Sequence, residues 1–221
     1  MFRIMIVDLD LKGGLVIVVG GGAEALKKIN ALLTQNCEIL VLSDKVNTQI
    51  KNFVSKKKIE YKKIKLNNAN VLSNYKPFLV MATTDDRKLN RKIVDYAKKM
   101  GCMAYASDDP DISDFAHPSV INIEDTVQIA ISTGGRSPAM ARKIKLQAEK
   151  VFKKIVNKDD IYQIKLQGIA RKVAKSKIST PKERKKFLYT ILNDKRIKQL
   201  IKDDEPKKAQ KRAMLMLEEW K

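Results

Sequence analysis

Leu15-Val16-Ile17-Val18-Val19-Gly20-Gly21-Gly22-Ala23-Glu24-Ala25 is the stretch whose reading decides the fold. Five consecutive apolar residues suit a strand buried on both faces, as at the centre of a parallel sheet. The glycines end that strand, and Leu26, Ile29, Leu32 and Leu33 then recur at helical spacing. Strand, glycine turn and helix in this order give meaning to the spacing Gly20-x-Gly22-x-x-Ala25. In a dinucleotide site the first glycine makes the turn and the second lets backbone approach the pyrophosphate. A small third residue lets helix and strand pack closely.

Downstream, the pattern repeats. Ile39-Leu40-Val41-Leu42 reads as a second strand ending at Ser43-Asp44, and Asp44 lies 22 residues beyond Gly22. A carboxylate there can bond a ribose 2′-hydroxyl, which favours NAD over NADP. Lys45 beside it could instead meet a 2′-phosphate, and an exposed turn carboxylate would read the same way. Residues 47–74, rich in Lys and Asn, predict a helix, an edge strand and loops. Phe78 to Thr83 is another buried strand, ending in Thr84-Asp85-Asp86; Leu89, Ile93, Tyr96, Ala97 and Met100 then trace a helix stopped by Gly101. Met103 to Ser107 forms the next strand and runs into Asp108-Asp109-Pro110.

Such alternation predicts a parallel sheet with helices on both faces and a ligand crevice beyond the carboxyl ends of its strands. Gly20, Asp44, Thr84 and Asp108 fall at that edge. A lone carboxylate facing the crevice, Asp108, can accept a proton. The acidic run through Asp114 lacks the glycine and terminal glutamate of a calcium loop and reads as a capped turn. His117, before Pro118, reads as a packed or surface residue.

Val120 to Ile123 and Val127 to Ile131 predict a separate small sheet. After it, Ser132-Thr133-Gly134-Gly135-Arg136-Ser137-Pro138 breaks at two glycines and restarts as a helix, with Ser137 as N-cap and Pro138 at the first helical position. Hydroxyls, an arginine and helix N–H groups converge there, so the junction reads either as an anion site or as a well-capped helix start. Met140, Ile144, Ala148, Val151 and Ile155 continue as a helical stripe. Thr180-Pro181-Lys182-Glu183 has the form of a capping box, and a last amphipathic segment carries Ala213, Leu217 and Trp220. The fold class is thus α/β. A Rossmann-like parallel-sheet domain spans 1–114, a dimerisation region with small sheet and long helix 115–150, and a basic helical domain 151–221.

The chain of 221 residues carries a formal charge of +20, unevenly spread. From Arg142 onward there are 25 Lys and Arg against 10 Asp and Glu, whereas the first 141 residues hold 20 against 15. A basic region of this kind fits a polyanion partner or a solvated lysine-rich surface. It has few aromatics for stacking on bases and no recognised nucleic-acid module. No apolar run approaches the roughly 20 residues of a membrane span, and Met1 to Asp10 lacks the order of a secretion signal. A cytoplasmic location is expected. Cys37 and Cys102 are too far apart in sequence to indicate a zinc motif or a disulfide framework.

Four motifs occur in one order: Val18-Val19-Gly20-Gly21-Gly22, then Ala82-Thr83-Thr84-Asp85-Asp86 with Asn90, then Ser107-Asp108-Asp109-Pro110 with Asp114-Phe115, then Ile131 to Pro138. Together they resemble the siroheme synthase family over about residues 5–150. The family's enzymes are precorrin-2 dehydrogenases, and some members are also sirohydrochlorin ferrochelatases. The resemblance implies NAD-dependent oxidation of precorrin-2 to sirohydrochlorin, with Asp108 at the position of the family's essential carboxylate. It also implies that backbone at Ala23-Glu24 and Asp44-Lys45 lies against the cofactor. Ser132, Thr133, Gly134, Arg136 and Ser137 would border the tetrapyrrole, across the crevice from Asp108, and Thr133 matches a position that is a phosphorylatable serine in some relatives. A homodimer built through residues 115–150 is implied as well. Insertion of ferrous or cobaltous ion is the alternative second activity, with no metal-ligand cluster evident in the sequence. Tyr105, where relatives carry Asn, and Ser107, where many carry Val, depart from the pattern.

Overall fold

A computed structural model describes residues 5–220. The chain divides into two compact units, Met1–His117 and Pro118–Lys221.

In the first unit five strands, β1 Leu15–Val19, β2 Glu38–Ser43, β3 Glu60–Lys63, β4 Leu79–Ala82 and β5 Met103–Ala106, form one sheet in the order β3-β2-β1-β4-β5. Every pairing is parallel, and Val19 lies level with Leu42 on one side and Ala82 on the other. Three helices cover it: α1 Ala23–Leu32, α2 Thr48–Ser55 and α3 Arg87–Lys99. The period of two in each strand separates two cores. Ile17, Val19, Leu40, Leu42, Val80 and Ala82 face α3, while Val16, Val18, Ile39, Val41, Leu79 and Met81 face α1 and α2. Chain order reverses direction between β1 and β4, so the loops after these strands diverge and leave a crevice at their carboxyl ends.

The outer rim of β5 is closed by the segment that follows it. Asp114 Oδ2 accepts the Ala104 N–H at 2.8 Å and Ser113 Oγ accepts that of Ala106 at 3.0 Å. Lys98 pairs with Asp114 at 3.0 Å. Two side chains thus occupy donors that a neighbouring strand would otherwise take.

The second unit begins with the antiparallel hairpin of β6 Ser119–Ile123 and β7 Val127–Ile131. Its turn places Glu124 and Asp125 at φ of +47° and +48°, a left-handed pair built without glycine. Helix α4, Pro138–Ile155, packs on the hairpin through Ala148 and Phe152. Met140, Ile144, Val151 and Ile155 are instead 40–60% exposed, so of the apolar stripe read from the sequence Ala148 alone meets this hairpin.

Four further helices, α5 Lys158–Lys177, α6 Pro181–Asn193, α7 Lys195–Lys202 and α8 Pro206–Glu218, enclose Phe187, Ile191, Ile197, Ala209, Ala213 and Leu217. Trp220 meets Phe187 edge-on at 5.1 Å. The bundle is tied by a fork in which Arg212 donates to both oxygens of Asp194, at 2.9 and 2.7 Å, while Asp194 also caps α7. At the start of α6 Thr180 accepts the Glu183 N–H as the sequence predicts. The fully reciprocal capping box lies at Asn157 and Asp160, opening α5. Among the described residues no helix is long and apolar enough to cross a membrane.

Candidate active site

A cleft of about 720 Å³ lies at the carboxyl edge of the sheet, lined by the loop Gly20–Glu24, the β2 end from Leu42 to Asn47, and Thr83 to Asp86. Gly20 sits at φ +121°, where an L side chain is strained, and a Cβ there would meet the Thr83 carbonyl oxygen at 2.7 Å. Gly21 is tighter still: a Cβ would overlap the carbonyl oxygen of Lys45. Nothing crowds Gly22, which leaves open space beside the first turn of α1. Ala25 is fully buried beneath it, the close helix–strand packing expected of a small residue.

Helix α1 starts without a side-chain cap on Gly22, unlike α2 to α7, whose N-cap side chains all accept first-turn N–H groups. Its leading N–H groups at Ala23 and Glu24 therefore open toward the cleft with the positive end of the helix dipole behind them. A diphosphate fits this cradle: it needs backbone donors, a small-residue approach and no competing cap. The opposite wall is held in place. Asn47 N–H donates to Gly21 O at 3.0 Å, and Ser43 Oγ donates to Lys45 O at 2.7 Å, so the β2 loop is locked against the glycine loop. Asp44 and Lys45 stand exposed at that wall.

Asp108 follows β5 on the same edge. Its Oδ1 accepts from Asn90 Nδ2 at 2.8 Å, and the Arg87 guanidinium lies 3.7 Å from Oδ2. Arg91, one helical turn along α3, stands 3.8 Å from Asp109. The neighbouring carboxylates have structural work: Asp86 caps α3 through the Lys88 and Leu89 N–H groups, and Asp109 accepts from Asp111 N–H. Thr84 lines the cleft, and the fully buried Asn90 links it to Asp108. Asn90 belongs to the motif read from the sequence, but its bond to a carboxylate 18 residues away has no local signal.

His117 lies within 5.0 Å of the Tyr105 ring and 5.3 Å of Phe115, and the Lys28 ammonium sits over Tyr105 at 4.5 Å. Desolvation among these rings, followed by the Lys28 charge, pushes the imidazole pKa down to about 4. Burial raises the thiol pKa of both Cys37 and Cys102.

In the second unit Ser132, Thr133, Gly134, Arg136 and Ser137 form one compact turn, with Gly134 and Gly135 at φ +62° and +79°. Their hydroxyls serve the turn itself. Ser132 Oγ accepts from Gly134 N–H at 3.1 Å, Thr133 Oγ1 accepts from Ser137 N–H at 3.1 Å, and Ser137 Oγ accepts from Met140 N–H at 3.2 Å. Among the described residues no group of three or more His, Cys, Asp or Glu is arranged to hold a metal.

Comparison with known proteins agrees with this geometry. Residues 7–119 match the family model described as "Putative NAD(P)-binding", and residues 125–147 match "Sirohaem biosynthesis protein central". The fold and cleft therefore define a nicotinamide-dinucleotide-binding α/β protein. The siroheme synthase of Actinobacillus succinogenes is 29% identical over 209 residues, covering 95% of this chain and 42% of that protein. That of Actinobacillus pleuropneumoniae serotype 7 is 35% identical over 141 residues, covering 64% of this chain and 28% of the relative. The solved structure of SirC, precorrin-2 dehydrogenase, superposes with a TM-score of 0.67 at 20% identity, covering 98% of this chain and all of that one. The chain belongs to the siroheme synthase family and spans about two-fifths of the length of the first of these relatives.

Proposed function

We propose that this chain is a precorrin-2 dehydrogenase that uses NAD and forms sirohydrochlorin. The observation that carries the reading is a partly exposed carboxylate, Asp108, held by Asn90 on the strand edge that also bears the dinucleotide cleft. Bound nicotinamide supplies a hydride acceptor. Oxidation of precorrin-2 removes one hydride and one proton; Asp108 takes the proton, which balances the two-electron change. Gly20 and Gly22 let the backbone approach the diphosphate, and the Ala23 and Glu24 N–H groups receive it. Asp44 accepts from the adenosine ribose and disfavours a 2′-phosphate, so NAD binds in preference to NADP despite Lys45.

The likeness to family members extends the reading to the second unit. There the loop from Ser132 to Ser137 contacts the carboxylate fringe of the tetrapyrrole, and Met140, Ile144, Val151 and Ile155 form the seam of a homodimer. Their exposure supports the latter, because four large apolar side chains along one helix face are covered in a stable assembly.

Purified protein given precorrin-2 and NAD should produce NADH and sirohydrochlorin in equal amounts, and Asp108→Ala should abolish this while its NAD affinity stays within about twofold of wild type, since its carboxylate acts in proton transfer. Absence of turnover by correctly folded wild-type protein, or full activity of Asp108→Ala, contradicts the proposal.

A further inference from the structure

We propose that Asn90 is a positioning residue for Asp108, with its amide orientation dictated by Thr84; the inference rests on the role given to Asp108 above. Asn90 is completely buried on α3. The main chain of Thr84 reads both ends of its amide. Thr84 N–H donates to Asn90 Oδ1 at 3.1 Å, while Asn90 Nδ2 donates to Thr84 O at 2.9 Å. A backbone N–H only donates and a backbone carbonyl only accepts, so the amide cannot turn over without opposing like groups. The Thr84 hydroxyl approaches the same Oδ1 at 2.7 Å and completes its acceptor capacity. One proton of Nδ2 remains, and its partner is Asp108 Oδ1 at 2.8 Å.

The consequence concerns how the carboxylate is presented. Oδ1 is held as an acceptor by a donor that cannot rotate away, which fixes the plane of the carboxylate and leaves Oδ2, faced by the Arg87 guanidinium at 3.7 Å, to receive a proton. Because Thr84 also lines the dinucleotide cleft, the residue at the cofactor wall and the proton acceptor share one rigid bridge. A two-point lock of this kind is worth having where a misplacement of about 1 Å costs roughly 10²-fold in rate. Asn90 acts through Asp108 and touches neither reactant in this scheme.

The test compares Asn90→Ser and Asn90→Asp with wild type, using NADH formation from precorrin-2, NAD titration by fluorescence, and unfolding midpoints to confirm folding. Asn90→Ser should lower kcat by about 10–100-fold, with KM for precorrin-2 and Kd for NAD each within about threefold of wild type. Asn90→Asp sets two carboxylates face to face, so they share a proton; the rising limb of its pH–rate profile should move to higher pH by about one unit or more. If Asn90→Asp fails to fold, the kcat-against-KM split of Asn90→Ser decides. Wild-type kcat in Asn90→Ser, or parallel losses of NAD affinity and kcat, overturns the positioning role, as does an unshifted profile in a folded Asn90→Asp. No precorrin-2 oxidation by wild-type protein removes the underlying reading instead.

Discussion

A methyl group at position 21 probes the cleft more sharply than one at position 22. Gly21 lies against the Lys45 carbonyl, so Gly21→Ala must push the β2 loop away. It should cost about 1–3 kcal/mol of stability and weaken NAD binding, whereas Gly22→Ala should stay within about 1 kcal/mol of wild type in stability; urea unfolding and NAD titration check both. His117 gives a pH-dependent counterpart. Its folded pKa of about 4 lies below the ordinary 6.5, so the folded state resists protonation. Its contribution to stability is complete above pH 6.5 and is lost as pH falls toward 4. Thermal midpoints should drop across that window, and His117→Gln should flatten the drop. The strand-end positions Gly20, Asp44, Thr84 and Asp108 are legible in the sequence because apolar runs mark where each strand stops. The importance of Gly21 and Asn90 is not, because each depends on a partner, Lys45 or Asp108, brought near only by the folded sheet.

Among the elements, α4 shows where periodicity stops being informative. Its sequence identifies a helix and its start at Ser137-Pro138, but apolar residues occupy two adjacent stripes. One stripe, with Ala148 and Phe152, meets the hairpin; the other, with Ile144 and Val151, stays exposed. Helical spacing alone does not rank two such faces. The pair of substitutions Ile144→Glu and Val151→Glu should convert a dimer to monomers in sedimentation analysis while leaving helical content unchanged. Wild-type sedimentation as a monomer would refute the seam. In the bundle, the Arg212 fork holds the Asp194 carboxyl below its usual 3.8. The stabilisation is therefore present above about pH 3.8 and disappears as pH falls through the lower folded value. Asp194→Asn should cost about 1–3 kcal/mol at pH 7, and the difference from wild type should close in acid, as followed by urea titration. Capping of α7 by Asp194 has a local sequence signal, but its fork with Arg212 spans 18 residues and has none.

For the whole molecule, charge is the property that composition states most openly. The second half's surplus of lysine and arginine is spread over exposed helix surfaces. The polycarboxylate tetrapyrrole proposed as substrate would be drawn toward such a field, and salt shortens its reach. The KM for precorrin-2 should therefore rise with ionic strength; a constant value would assign these residues to solvation alone. The alternation of strands and helices makes the parallel sheet legible from sequence. One detail of the sheet bears on the protein's behaviour at high concentration. An incoming chain seeking to extend the sheet beyond β5 would have to evict the Asp114 carboxylate and the Ser113 hydroxyl, and then leave Lys98 without its counter-ion. That rim is thereby protected against templated aggregation by its own chain, so concentrating the folded protein need not begin fibril-like stacking from this side.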